Sequence, residues 1–457
     1  MDNFADAQRA PKLAWYGDDF TGSAAVMEVL SFAGLRAVLF CDIPSPQFLA
    51  RFGALDAIGL ASTARTQGPQ WMRRCLPGPL GWLDATGAEL LHYKICSTFD
   101  SASQAGNIGC AIETALRVRP AKAVPIVTAA PQMRRYQSFG HLFAGTFDGV
   151  YRLDRHPVMA RHPVTPMAEA DLLRHLAQQT DLPAALIDLE QLWADGGTHA
   201  LQRALDSGAR LVSMDMMDPH SEGAVGRLIW GNRDRLGLVV GSQGVEYALV
   251  RHWQDCGDLP AAPIATSAGA VAQIAAVSGS VSPSTAQQIR WSAAHGFVVV
   301  PFDACAVVQP ETAQAQIHSA TQAALAVLST GASPLVTSAM GPDDPQVAAF
   351  VRHVSHLGLT MEQANERIGQ ALGQVLDAVV TRGKLRRAVI SGGDTSGHGI
   401  RALRVQALEA LAPTIPGAAL CKAHSEGRHD GLEIALKGGQ MGSEDFFGWI
   451  RQGGGPR

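Results

Sequence analysis

Five short stretches of this chain carry residues whose types and spacing could do chemistry. Asp18 and Asp19 are adjacent carboxylates, with Thr21 close behind. Paired acids can hydrogen-bond the hydroxyls of a polar small molecule, and one can accept the proton of an attacking hydroxyl. Asp19 or Thr21 could equally cap a helix that starts there. Lys94-Ile95-Cys96-Ser97-Thr98 adds a cation and two hydroxyls, Ser97 and Thr98, suited to an anionic molecule or to a capped turn. Cys96 reads as a packing residue, because no histidine is placed beside it. Ser391-Gly392-Gly393-Asp394-Thr395 joins two glycines to an acid and a hydroxyl. Such a turn lets backbone N–H groups approach a phosphate at the start of a helix. Ser278-Gly279-Ser280 repeats that grammar, and Lys437-Gly438-Gly439 sets a cation before two further glycines.

The elements that must position these residues alternate regularly. A strand at 13–16 runs into the Asp18-Asp19 loop, a helical stretch carries Val26, Val29 and Leu30, and 36–40 returns as a strand. That unit implies a parallel sheet. Strand signals recur at 55–60, 90–95, 122–127, 185–189, 211–214 and 238–240, with apolar helical stretches between most of them. Gly241-Ser242-Gln243-Gly244 follows the last of these and could line the same cleft. In the second half the strands are expected at 271–277, 297–300, 334–337, 387–390 and 432–437, with a helix over 284–294. Ile400, Leu403, Ala407, Leu408 and Leu411 fall on one helical stripe, so the 391–397 turn is expected to open a helix reaching 411. The fold class is α/β: two doubly wound domains with mainly parallel sheets and an active-site cleft between them.

Other clusters carry less. Arg134, Arg135 and His141 follow a strand end, where arginine forks suit a carboxylate and a solvated basic loop is the commoner outcome. His162-Pro163-Val164-Thr165-Pro166-Met167 feeds a helix expected over 168–176. Asp215, Asp218 and His220 read as turn and cap residues. His424 and His429 lack a third metal ligand.

The 457 residues are enough for two or three cores, with 47% hydrophobic and 17% charged residues excluding a disordered chain. A formal net charge of -4 without a basic tract argues against nucleic acid as a partner. The seven cysteines are scattered, with no CxxC pair, as in a reducing compartment. The polar start is wrong for a signal peptide and no apolar run is long enough to cross a membrane, so a cytoplasmic protein is expected. Residues 256–270 turn rich in Pro, Ala, Ser and Gly, placing the domain boundary between 1–258 and 259–457. Neither a P-loop nor a dinucleotide fingerprint is present. The residues favour transfer of a phosphoryl group from a nucleotide to a polar small molecule.

In order and spacing these motifs resemble the four-carbon acid sugar kinases, over nearly the whole chain. The resemblance implies an N-terminal domain that binds the sugar acid through Asp18, Asp19, Thr21, Lys94, Ser97 and Thr98, and Arg134 is a further candidate contact by its residue type. It implies a C-terminal domain that binds ATP through Ser278, Gly279, Ser280, Gly392, Gly393, Asp394, Thr395, Gly438 and Gly439, with Mg²⁺ on Asp394. Asp18 or Asp19 would then accept the hydroxyl proton, and Lys94 would neutralise the acid or the transferring phosphate. Two departures are visible. The family usually has Lys-Ser/Thr-Gly-Asn-Phe-Gly where this chain has Lys437-Gly438-Gly439-Gln440-Met441-Gly442, and a Gly-Arg pair where it has Met133-Arg134-Arg135. They bear on which acid is used: 3-oxo-tetronate, threonate, erythronate or a branched oxo acid such as 3-oxo-isoapionate. Two rivals stand beside the kinase. A lyase or aldolase would use Lys94 as a Schiff-base amine and need no ATP. A nucleotide-binding sensor would be stabilised by ligand without releasing ADP. Whether the protein is a homo-oligomer is left open.

Overall fold

A computed structural model describes residues 10–146, 148–161 and 165–457, with the side chain of Asp394 outside that description. The chain divides into two compact units, Met1–Pro263 and Ile264–Arg457. The division falls inside the 256–270 stretch.

The first unit is built on strands β1 (Leu13–Gly17), β2 (Ala37–Phe40), β3 (Ala57–Ala61), β4 (Leu90–Lys94), β5 (Val124–Val127), β9 (Ala184–Ile187), β10 (Leu211–Met214) and β11 (Leu238–Gly241). Between β5 and β9 lie the short antiparallel strands β6 (Arg135–Ser138), β7 (His141–Gly145) and β8 (Val150–Arg152). The order of the main sheet is β2-β3-β1-β4-β11-β5-β10-β9, and its pairs are parallel. Strands such as Leu13–Gly17 and Val124–Val127 are buried along their whole length, which is why they read as continuous apolar runs rather than alternating ones. Ala61, Gly17, Lys94, Gly241 and Val127 lie in register across five neighbouring strands. The loops that follow them therefore leave the sheet at one end.

The second unit carries β12 (Ala275–Ser278), β13 (Phe297–Pro301), β14 (Ser333–Thr337), β15 (Arg387–Ser391), β16 (Ala407–Ala412), β17 (Leu420–His424) and β18 (Glu433–Lys437). Here the order is β13-β14-β12-β15-β18-β17-β16, parallel as far as β18 and antiparallel for the last two strands. Ile274, Ile289, Leu335, Val389, Phe446, Phe447 and Ile450 form a core here. The α/β class with mainly parallel sheets is thus what the structure shows.

Some expected elements differ. The helix after the 391–397 turn is Gly393–Ala402 and stops there, because Arg404 takes a left-handed conformation, φ 53°. Ala407–Ala412 is a strand paired to Leu420–His424, so pairing with a distant segment overrides the helical propensity of an Ala-Leu-Glu-Ala-Leu-Ala run. The 168–176 helix shrinks to Leu172–Leu176, where Asp171 caps it through the amides of Leu173 and Arg174. Strand β12 begins only at Ala275, and β9 ends at Ile187 because Asp188 caps the next helix. The strands β6–β8 and the long helices Pro310–Ser329 and Met361–Gly383 were not expected as such.

Candidate active site

In the first unit Asp18 and Asp19 follow β1, and both point at a residue without a sequence signal of its own. Arg65 lies in the short 3₁₀ turn Ala64–Thr66 after β3. Its Nη2 is 2.6 Å from Asp18 Oδ1 and its Nε 3.1 Å from Asp18 Oδ2, while Nη1 and Nη2 donate to Asp19 at 2.8 and 2.9 Å. One guanidinium thus bridges both acids. Asp19 is also the helix cap: it accepts from the Gly22 amide and the Thr21 hydroxyl, each at 2.7 Å. Lys94 ends β4, is buried, and donates from Nζ to the Ile95 carbonyl at 2.5 Å. A Cβ on Gly22 would sit 2.4 Å from Asp19 Oδ1 and 2.9 Å from Lys94 Nζ, so the lysine completes the cluster.

The two acids are not equivalent. Burial, the largest effect on Asp18, combines with the neighbouring charge of Asp19 to hold its pKa above the ordinary value, although Arg65 opposes them. Burial is also the largest single effect on Asp19. There Arg65, Lys94, Thr21 and the Gly22 amide together outweigh it and hold the pKa below the ordinary value. Asp18 is the better proton acceptor of the pair.

Beyond Lys94, Ser97 and Thr98 are largely buried, and Thr98 donates to Asp100 at 2.6 Å. Burial pushes the Cys96 thiol up to about 11, which keeps it from serving as a nucleophile near neutrality. Arg134 adopts φ 57°, and its guanidinium donates to the Thr146 carbonyl across the β6–β7 hairpin. Asp215 accepts the amides of Phe139 and Gly140 and so anchors that hairpin, and Asp218 caps a helix. His162, Pro163 and Val164 lie outside the described residues.

In the second unit the three glycine turns come together. Ser278, Ser391 and Lys437 are in register at the ends of three adjacent parallel strands. Gly392 precedes the helix at φ 125° and caps it with no side chain, which leaves the first-turn amides for a ligand. A Cβ on Gly279 would lie 2.4 Å from Thr395 Oγ1, and one on Gly439 2.5 Å from Ser280 Oγ. At Gly393 a Cβ would meet nothing within 4 Å, so open space stands over the free helix end. The Ser391 hydroxyl is buried there without a hydrogen-bond partner. Lys437 is fully buried and donates to Thr285 Oγ1 at 3.2 Å and to the Gly438 carbonyl at 3.0 Å. Thr285 in turn donates to the Gly439 carbonyl at 3.0 Å. Burial lowers the Lys437 pKa to about 7. A buried cation, amides at a helix end and an open volume fit the phosphates of a nucleotide.

Residues 13–249 match the family model described as a sugar-binding N-terminal domain, and residues 275–447 match a nucleotide-binding C-terminal domain. A 3-oxo-isoapionate kinase of Paraburkholderia graminis is 45% identical over 96% of this chain and 94% of its own. The chain belongs to the four-carbon acid sugar kinase family. It is an ATP-dependent phosphotransferase acting on a sugar acid. A 3-oxo-tetronate kinase of Cupriavidus necator is 29% identical over 96% of both chains. Among solved structures, a Salmonella typhimurium protein described as a tRNA synthase shares the fold at TM-score 0.75 and 24% identity, covering 96% of this chain and 98% of its own.

Two members of this kinase's site were not singled out in the sequence. Arg65 sits in Ser62-Thr63-Ala64-Arg65-Thr66, a hydroxyl-rich loop after a strand, the same grammar as the Lys94 loop. Thr285 is one turn into the helix after Ser278-Gly279-Ser280, and it stands beside Lys437 only once β12 and β18 flank β15. His424 and His429 pair separately with Glu409 and Asp377. Among the described residues no group of three or more His, Cys, Asp or Glu could hold a metal, and no helix is long and apolar enough to cross a membrane.

Proposed function

We propose that this kinase transfers the γ-phosphoryl group of ATP to a primary hydroxyl of a four-carbon or branched oxo acid, with 3-oxo-isoapionate the leading candidate. The row of Ser278, Ser391 and Lys437 around an uncapped helix end carries the nucleotide half of this reading. The 45% identical relative named for that acid supports the substrate. The unit Met1–Pro263 binds the acid and the unit Ile264–Arg457 binds ATP. Asp18 takes the proton of the attacking hydroxyl, with Arg65 fixing its orientation. Lys94, with the Ser97 and Thr98 hydroxyls near it, offsets the charge of the acid. The amides of Gly393 to Thr395 and the Lys437 ammonium bind phosphate oxygens, and positioning with charge compensation accounts for most of the rate in such transfers. Asp394 would hold the Mg²⁺ that accompanies the nucleotide, and the ion would supply further charge compensation on the phosphates. The test is ADP release with Mg-ATP against 3-oxo-isoapionate, 3-oxo-tetronate, threonate and erythronate, with a no-acid control. Turnover on one acid well above the others fixes the substrate. Silence on all four, with ATP still raising the melting temperature, returns the sensor reading.

A further inference from the structure

Arg135 opens β6, at the head of the hairpin that follows β5. Its Nη1 donates to the carbonyls of Met133, Arg134 and Gly145 at 3.1, 3.3 and 3.2 Å. These bonds fix the plane of the guanidinium without neutralising it. Its Nε is buried and has no hydrogen-bond partner, and among the described residues no carboxylate forms an ion pair with it. Arg210 and Arg235 share the unpartnered Nε, but both precede strands and so lie at the amino end of the sheet, away from the site loops. Arg135 stands at the other end, facing the loop after Lys94. Burial lowers its pKa most, and the groups that counter this are Cys96 and Asp100 of that loop. Arg134 adds to the lowering, and the Arg135 charge in turn helps to lower the pKa of nearby His156. Asp100 acts on Arg135 only from a distance: no ion pair joins them, and one Asp100 oxygen accepts from the Thr98 hydroxyl. A cation held rigid, partly desolvated and without a direct ion pair is costly unless a ligand supplies the anion.

We propose that Arg135 binds the carboxylate of the acid acceptor through its free Nε edge and thereby sets the preference for acids over their neutral counterparts. Its neighbour Arg134, turned outward, closes the hairpin onto Thr146. The inference rests on the first unit being the acceptor-binding one.

The test compares wild type, Arg135→Ala and Arg135→Lys, using Mg-ATP, the acid best turned over by the wild type, and that acid's primary amide. Loss of a charge-assisted pair predicts that Arg135→Ala raises KM for the acid about 10- to 100-fold. KM for ATP should stay within about twofold, and KM for the amide should barely move, so that the discrimination between acid and amide collapses. Arg135→Lys, or guanidinium added to Arg135→Ala, should restore part of it. An unchanged preference for the acid in Arg135→Ala overturns the proposal, as does an equal rise in KM for acid and amide, which marks a structural role. If Arg135→Ala does not fold, Arg135→Lys carries the same comparison. A wild type that turns over no acid refutes the functional reading instead. Calorimetric titration of acid and amide then reads the Arg135 contrast without turnover.

Discussion

Asp18 and Asp19 look interchangeable in the sequence and are separated only by their surroundings. Asp19 spends its oxygens on Gly22, Thr21 and Arg65, whereas burial leaves Asp18 the more basic group. Asp18→Asn is therefore expected to lower kcat by about 10²- to 10⁴-fold. Asp19→Ala should chiefly weaken the helix start, by about 1 kcal/mol. Near-full turnover in Asp18→Asn, read by ADP release, would remove the base assignment. Because Asp18 must be ionised to act and its pKa is raised, the acid limb of the pH–rate profile should lie above the usual carboxylate range. Lys437 gives a second pH signature. Its folded pKa of about 7 lies below the value of a free lysine, so the cost of burying its charge is fully present below pH 7. That cost fades as the pH rises toward about 10.4, where the unfolded chain also loses the proton. Phosphate binding favours the charged form, so ATP should bind with proton uptake above pH 7 and more weakly as the pH rises. Calorimetry in buffers of different ionisation enthalpy reads that uptake, and Lys437→Met should abolish it.

At the scale of elements, the helix Gly393–Ala402 offers the cleanest probe of the phosphate site. Gly393 has open space around it, so Gly393→Val should fold normally yet fill the volume a phosphate needs. We expect ATP affinity to drop at least about 10-fold, a loss of roughly 1.4 kcal/mol, with little change in melting temperature. Unchanged ATP affinity in that variant would rule the turn out as a cradle. Gly392 is a different case, because at φ 125° any side chain is strained. Deeper in the unit, Glu433 on β18 holds the fully buried Arg387 on β15, which also donates to the Ile450 carbonyl in the last helix. Removing one partner of a buried ion pair typically costs about 3–5 kcal/mol. Glu433→Ala should therefore lower the denaturation midpoint strongly, while Asp445→Ala, at the exposed pair with Arg457, should not. The error over 400–411 belongs to this scale too. An Ala-Leu-Glu-Ala-Leu-Ala run suits helix or strand, and only a partner at Leu420–His424 settles the choice.

For the molecule as a whole, the chain divides into two compact units, and the stretch between them, around 261–270, is largely exposed and free of regular structure. Brief proteolysis is expected to cut there before either unit. Nucleotide at 100 times its Kd should stabilise the binding unit by about 2.7 kcal/mol, seen as an upward shift of one transition in calorimetry. A shift of equal size in both transitions would argue against two independently built units.

Local chemistry was enough to mark most strands, the turns at their carboxyl ends and the two-part α/β plan. Apolar runs, glycines and caps act over a few residues, and their signal survives without a third dimension. The Asp18-Asp19 loop, Lys94 and the three glycine turns were legible for that reason. What folding alone decided is which loops share an end of a sheet. Strand order brings Ala61 beside Gly17, and so Arg65 onto both acids. It sets β15 between β12 and β18, so that Lys437 meets Thr285. Those pairings join residues far apart in the chain, and burial then gives the same side chain a different acidity from its neighbour. Neither effect is written in any short window of sequence.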